Sequence, residues 1–263
     1  GSGLIWWYTP SLRGQGAMAS GAPPLEPRGL DRGLRRPLEI VVRQQGKRET
    51  GGWIWESSRV LEGVLLSERL EWERVAVLEL GAGSGWLAMR LASLGARVTA
   101  TDRAGMLPLL RSNVALNQKR LLTCADCADL VDLLQVHVAA LEWEEDFASA
   151  QAGLAWAGGA DHLVIGSDLV YLSESHGPLL ATLANLLAGG ARCVLSWEER
   201  KPWEEAAFIE EACRRGFTCK LLMEQLDEIT EALWDGRHDG ATHRRIVVWE
   251  LLLPRVDESS GAL

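Results

Sequence analysis

Val77-Leu78-Glu79-Leu80-Gly81-Ala82-Gly83-Ser84-Gly85 runs from a short apolar stretch into three glycines at every second position. The run reads as a buried strand that ends in a tight turn, with a helix starting at Trp86. Such a turn sets bare backbone amides beside a ligand, at the crevice where open α/β sheets bind small molecules. Dinucleotide binders use the spacing G-x-G-x-x-G, whose third glycine lets helix and strand pack closely, but Trp86 stands three positions after Gly83. The dinucleotide pattern is broken. Glu79, just ahead of the turn, repels a pyrophosphate and attracts the ammonium of a methionine moiety, so the spacing favours S-adenosyl-L-methionine. The next strand ends at Thr101-Asp102, about 20 residues on, where a carboxylate can accept both hydroxyls of an adenosine ribose.

Outward from this turn the chain alternates short apolar runs with amphipathic segments, the pattern of a mostly parallel sheet covered on both faces. Strands are expected at 38–42, 75–80, 97–101, 136–138, 162–166, 192–197, 218–224 and 245–252. Helices are expected at 56–66, 86–93, 107–117, 175–187 and 203–214, several closed by a glycine (Gly95, Gly189-Gly190, Gly216). Two successive strands at the end predict that the last is antiparallel. Residues 1–36, rich in Gly, Pro and Ser without periodicity, are expected to be a disordered leader, with Met18 a candidate natural start. Residues 37–255 form the expected domain and 256–263 a flexible tail, and the Ala- and Gly-rich stretch 144–159 reads as a loop insertion.

At 263 residues, 47% of them apolar, the chain can bury the core of one large domain. No apolar run approaches the roughly 18 residues of a membrane span, and no membrane partner is expected. A formal charge of -9 argues against nucleic acid as a partner, because phosphate binders carry a basic stripe. The five cysteines follow no secreted framework, so a reducing compartment is expected, and Cys124-x-x-Cys127 lacks the two further ligands of a zinc site. The five histidines show no metal spacing either, and no metal is expected.

Further stretches carry a family resemblance over about residues 51–252. They are Gly52-Trp53-Ile54-Trp55-Glu56, Leu78 to Gly85, Val98 to Asp102, Ser112-Asn113-Val114-x-x-Asn117, Leu141-Glu142-Trp143 and Gly166-Ser167-Asp168-Leu169-Val170-Tyr171. Together these resemble the seven-strand protein lysine methyltransferases of the methyltransferase-like 21 group. Asp168-x-x-Tyr171 looks like that group's D-x-x-Y signature after the fourth strand, and Ser196 to Arg200 resembles its polar stretch after the fifth. The resemblance implies a doubly wound, mostly parallel seven-stranded sheet (class I methyltransferase, Rossmann-like) with the last strand antiparallel.

It also implies residue roles. Trp55 would close over the cofactor, Gly81, Ala82 and Gly83 would contact its methionine end beside Glu79 and Gly85, and Asp102 would hold the ribose. Trp143 would pack on the adenine, for which its broad ring is suited, and Ser167 would line the pocket. Asp168 and Tyr171, just beyond a strand's carboxyl end, would form the catalytic acceptor site, Asp168 orienting the amine or cofactor and Tyr171 offering its ring or hydroxyl to the cationic centre. The implied partner is a lysine-bearing protein such as a chaperone, a AAA ATPase or a translation factor, met by a monomer in the cytoplasm or nucleus. The chain departs from the group at Glu56, where an Asp is usual, and in its leader and 144–159 insertion. A protein arginine or histidine acceptor, a small molecule, or a non-catalytic cofactor-binding module remain alternatives. Adenine-type nucleic acid enzymes are disfavoured, since Ser167 to Tyr171 lacks their two prolines.

Overall fold

The computed structural model describes residues 5–6, 40–44, 52–68, 70–123, 134–144, 154, 156, 158–228 and 243–254. Seven strands form one sheet: β1 (Ala76–Leu80), β2 (Arg97–Asp102), β3 (Val136–Ala140), β4 (His162–Ser167), β5 (Arg192–Glu198), β6 (Thr218–Glu228) and β7 (His243–Leu252). Their spatial order is β3-β2-β1-β4-β5-β7-β6. The first five strands pair in parallel, and β7 inserts antiparallel between β5 and β6. The order reverses on either side of β1, so a crevice opens at the carboxyl ends of β1 and β4, where ligands bind in open α/β sheets.

Alternation along the strands sends successive side chains to two separate cores. Val77, Leu163 and Ile165 pack on one face with helices α1 (Glu56–Ser67), α2 (Trp86–Ser93) and α3 (Leu107–Thr123). Leu78, Leu80 and Val164 face the other way, onto α4 (His176–Leu187) and α5 (Pro202–Arg214). With both faces covered, β4 is apolar on both sides, as parallel strands in such folds are. No helix among the described residues is long and apolar enough to cross a membrane.

The expected elements recur with small shifts. α3 runs six residues past Asn117 to Thr123, and β6 reaches Glu228 with a register shift between Leu221 and Met223. The strand expected at 38–42 does not join the sheet. Only Val42–Arg43 is extended as a strand, and it pairs with Ile5–Trp6. Two carboxamides on α3 take the place of a sheet neighbour for this segment. Asn117 accepts from the Val41 N–H (2.9 Å) and donates to its carbonyl (2.7 Å), and Asn113 does the same for Arg43 (2.9 and 3.1 Å). Ile40 and Val42 are thereby free to bury in the first core without strand partners in the sheet. Of the expected leader only Ile5–Trp6 is described. Cys124-x-x-Cys127, the tail and most of the 144–159 insertion lie outside the described residues.

Candidate active site

The glycine turn is built from left-handed backbone. Gly81, Gly83 and Gly85 have φ of 59°, 54° and 77°, values that side chains strain. The turn is tied to β2: the Ala82 N–H donates to the Thr101 carbonyl (2.9 Å), and the Gly83 N–H donates to Asp102 Oδ2 (2.8 Å). Thr101 Oγ1 donates in turn to the Glu79 carbonyl (2.7 Å). Gly81 also lacks room for a side chain, because a Cβ there would stand 2.6 Å from Leu169 Cδ2 and 3.7 Å from the Trp143 ring.

A cavity of about 620 Å³ opens over this turn. It is lined by Trp55, Glu79, Gly81, Ala82, Gly83, Asp102, Trp143, Ser167, Asp168 and Tyr171, ten of the eleven residues expected from sequence. The exception is Gly85, which does not line it. Gly85 instead precedes the first turn of α2, where a Cβ would collide with Leu110. Its glycine serves packing between α2 and α3.

Burial sets the electrostatics of the cavity floor. Glu79 is 3% exposed, and burial pushes its carboxyl up to about 8, although the Ala88 amide of α2 donates to it and acts in the opposite direction. Its Oε2 is buried with no partner among the described residues. Asp102 is also raised, first by burial, while N–H bonds from Gly83 and Arg103 work against the shift. Each Asp102 oxygen accepts one backbone N–H and keeps a lone pair for a ligand. Glu142, on the next strand's end, accepts from the Ala104 N–H (3.3 Å).

The opposite wall is a charged cluster centred on Asp168, itself left-handed at φ 53° although it is not glycine. Such strain in a non-glycine residue is maintained only where the surroundings over-determine it. Three donors do so here. Ser57 Oγ donates to Oδ2 (2.6 Å), while the Glu198 N–H (3.1 Å) and Arg200 Nη1 (2.9 Å) donate to Oδ1. Arg200 also reaches Glu198 Oε2 (3.4 Å) and lies over the Trp55 ring, 5.0 Å from its centroid. A little further on, the loop is held where His176 Nε2 bonds the Val170 carbonyl (2.8 Å). Tyr171 lies at the cavity rim, 37% exposed.

Sequence reasoning missed Arg200 and Ser57 as site residues. Arg200 was within a recognised polar stretch, but its partner Asp168 is 32 positions away, and no local spacing marks such a pair. Ser57 looks like an ordinary first-turn serine, and only the packing of α1 on β5 brings it to Asp168.

The residues present fit S-adenosylmethionine. Left-handed Gly81 and Gly83 keep the turn bare of side chains, the orphaned Glu79 oxygen suits an ammonium, and Asp102 has lone pairs for a vicinal diol. A sheet of this order with an acid-tipped glycine turn and this cavity defines the class of S-adenosylmethionine-dependent methyltransferases. Within it, residues 35–215 match the family described as lysine methyltransferase. Protein N-lysine methyltransferase METTL21A of Danio rerio is 30% identical over 193 residues, covering 73% of this chain and 76% of that protein. The METTL21A of Xenopus tropicalis is 32% identical over 146 residues, 54% and 58% of the two chains. EEF1A lysine methyltransferase 3 of Xenopus tropicalis is 25% identical over 175 residues, 66% and 70%. The chain belongs to the lysine methyltransferase family, and S-adenosylmethionine is its cofactor.

Proposed function

We propose that the chain methylates the ε-amine of a lysine in a protein substrate, with the Asp168 to Tyr171 wall receiving the side chain. The observation that carries this is the position of Asp168 and Tyr171, on the carboxyl side of β4 and in the same cavity as the glycine turn and Asp102. Donor and acceptor groups thus share one enclosure, and alignment to about 3–3.5 Å is the main requirement of an in-line displacement.

Bound in the cavity, S-adenosylmethionine supplies an electrophilic methyl group on a sulfonium. Glu79 would hold its ammonium, Asp102 its ribose hydroxyls, and Trp143 with Glu142 its adenine. Trp55 would cover it from the segment leading into α1. A lysine, with a pKa of about 10.4, must reach the site as the neutral amine. Asp168 is assigned to the wall and not to that proton, because it is paired with Arg200 and held by Ser57 and the Glu198 N–H. Its role is to hold the wall's shape, and proton loss to water supplies the free amine.

The substrate is proposed to be a chaperone, AAA ATPase or translation factor in the cytoplasm or nucleus. A reducing compartment agrees with the free thiols of Cys193, Cys213 and Cys219. Incubation of the purified chain with a protein lysate and radiolabelled S-adenosylmethionine tests the reading. Label mapped by mass spectrometry to a protein lysine and lost with Asp168→Ala supports it, and label on arginine or histidine refutes it. Label carried on small molecules or RNA refutes it.

A further inference from the structure

We propose that Arg200 is a positioning residue that keeps the acceptor wall from trapping the substrate lysine as an ammonium ion, by occupying the carboxylates of Asp168 and Glu198 with its guanidinium. This rests on the lysine reading above. Asp168 and Arg200 both line the cavity, and Glu198 contacts the Arg200 guanidinium. The Asp168 and Glu198 side chains are only 4% and 7% exposed. Unmasked, Asp168 would be a buried carboxylate facing an incoming cation.

The chemistry of the reaction makes such a carboxylate harmful. An opposite charge within about 4–6 Å raises an ammonium's pKa by roughly 1–3 units, and an ammonium has no lone pair to attack a methyl group. A bare Asp168 would therefore tighten binding and slow transfer. Arg200 removes that attraction with a cation that does not lose its proton in proteins. Burial works against its charge, but Asp168 and Glu198 more than offset that, so its pKa lies above the ordinary arginine value. The Trp55 face beneath the guanidinium fixes its orientation, a contact that a lysine's point charge does not reproduce.

The remaining charges near the pair are bonded elsewhere or lie at the rim, apart from Glu205 Oε2, which is buried with no partner among the described residues. From α5, Glu205 Oε1 accepts the N–H groups of Arg200 (3.0 Å) and Lys201 (3.2 Å), and Lys201 pairs with Glu204. Just past β5, Glu199 pairs with Arg245 of β7. From α1, Ser57 is uncharged, and Glu56 pairs with Arg59. Tyr171 and Glu174 line the cavity from the loop after β4. None of them replaces the guanidinium at Asp168 when Arg200 is changed.

The test uses the full chain with the acceptor protein identified by labelling, and follows kcat and KM against pH. Arg200→Gln is expected to shift the kcat profile toward alkaline pH by about one unit, with KM for the protein unchanged or lower. Arg200→Lys, which keeps the charge and loses the stack, lowers the rate without moving the profile. Asp168→Asn, removing charge of the opposite sign, moves the profile toward acid, which keeps the proposal open to refutation if Arg200→Gln fails to fold. If Arg200→Gln lowers kcat by one factor at every pH, or Arg200→Lys shifts the profile as far as Gln does, the inference is wrong while the lysine reading stands. If the native chain labels no lysine, the reading and the inference both fall.

Discussion

Burial pushes the Glu79 carboxyl up to about 8, which favours its protonated form near neutral pH. An ammonium brought against it favours the charged form, so cofactor binding releases a proton. Affinity for S-adenosylmethionine is then expected to rise from pH 6 to 8, by up to about tenfold per unit, and calorimetry in two buffers of different ionisation enthalpy reads the proton directly. Glu79→Gln flattens the slope and abolishes the release. The ligand-free fold responds in the opposite sense: a carboxyl raised from 4.5 to about 8 makes stability fall as pH climbs through that window. The glycines separate two duties. Gly81→Ala is expected to weaken cofactor binding more than tenfold, since it meets Leu169 in the cavity wall. Gly85→Ala, meeting Leu110 behind the cavity, is expected to destabilise by about 2–4 kcal/mol in urea melts, from left-handed strain and overpacking, with a smaller effect on affinity.

Asn113 and Asn117, one turn apart on α3, stand in for a sheet neighbour of residues 41–43. Asn117→Ala leaves the buried N–H and carbonyl of Val41 unpaired and is expected to cost roughly 2–4 kcal/mol in chemical unfolding. Asn113 also donates to the Ser84 carbonyl (2.9 Å), so Asn113→Ala should loosen the glycine turn as well, read as weaker cofactor binding. The same segment shows where sequence reading stops. β1, β2, β4 and β5 were readable to within a residue or two because burial on both faces gives them short, largely apolar runs. The 38–42 run has the same apolar character, but what bonds its backbone is a pair of side chains some 70 residues away in sequence. Period and propensity are silent about such partners. The site divides likewise: Glu79, the glycines, Asp102 and Asp168 sit at strand ends and so announce themselves, while Arg200 and Ser57 acquire their roles only through the packing of α1 and β5.

Across the whole molecule, the parallel strands bring every group of the donor and acceptor sets to one edge of the sheet. The floor comes from β1 and β2, one wall from the end of β3, and the facing wall from the loops after β4 and β5 with the entry to α1. The net charge of -9 favours encounter with a basic protein surface, which is the complement expected of the substrate. Substrate choice is expected to reside in the exposed rim, Tyr171 and Leu172, instead of in the floor shared with the cofactor. Methyl transfer by this chain requires the glycine turn to hold the donor. Isothermal titration of the purified chain with S-adenosylmethionine tests that most directly. The account predicts saturable binding at one site, weakened by Gly81→Ala and made independent of pH by Glu79→Gln; no binding heat up to about 1 mM cofactor would contradict it.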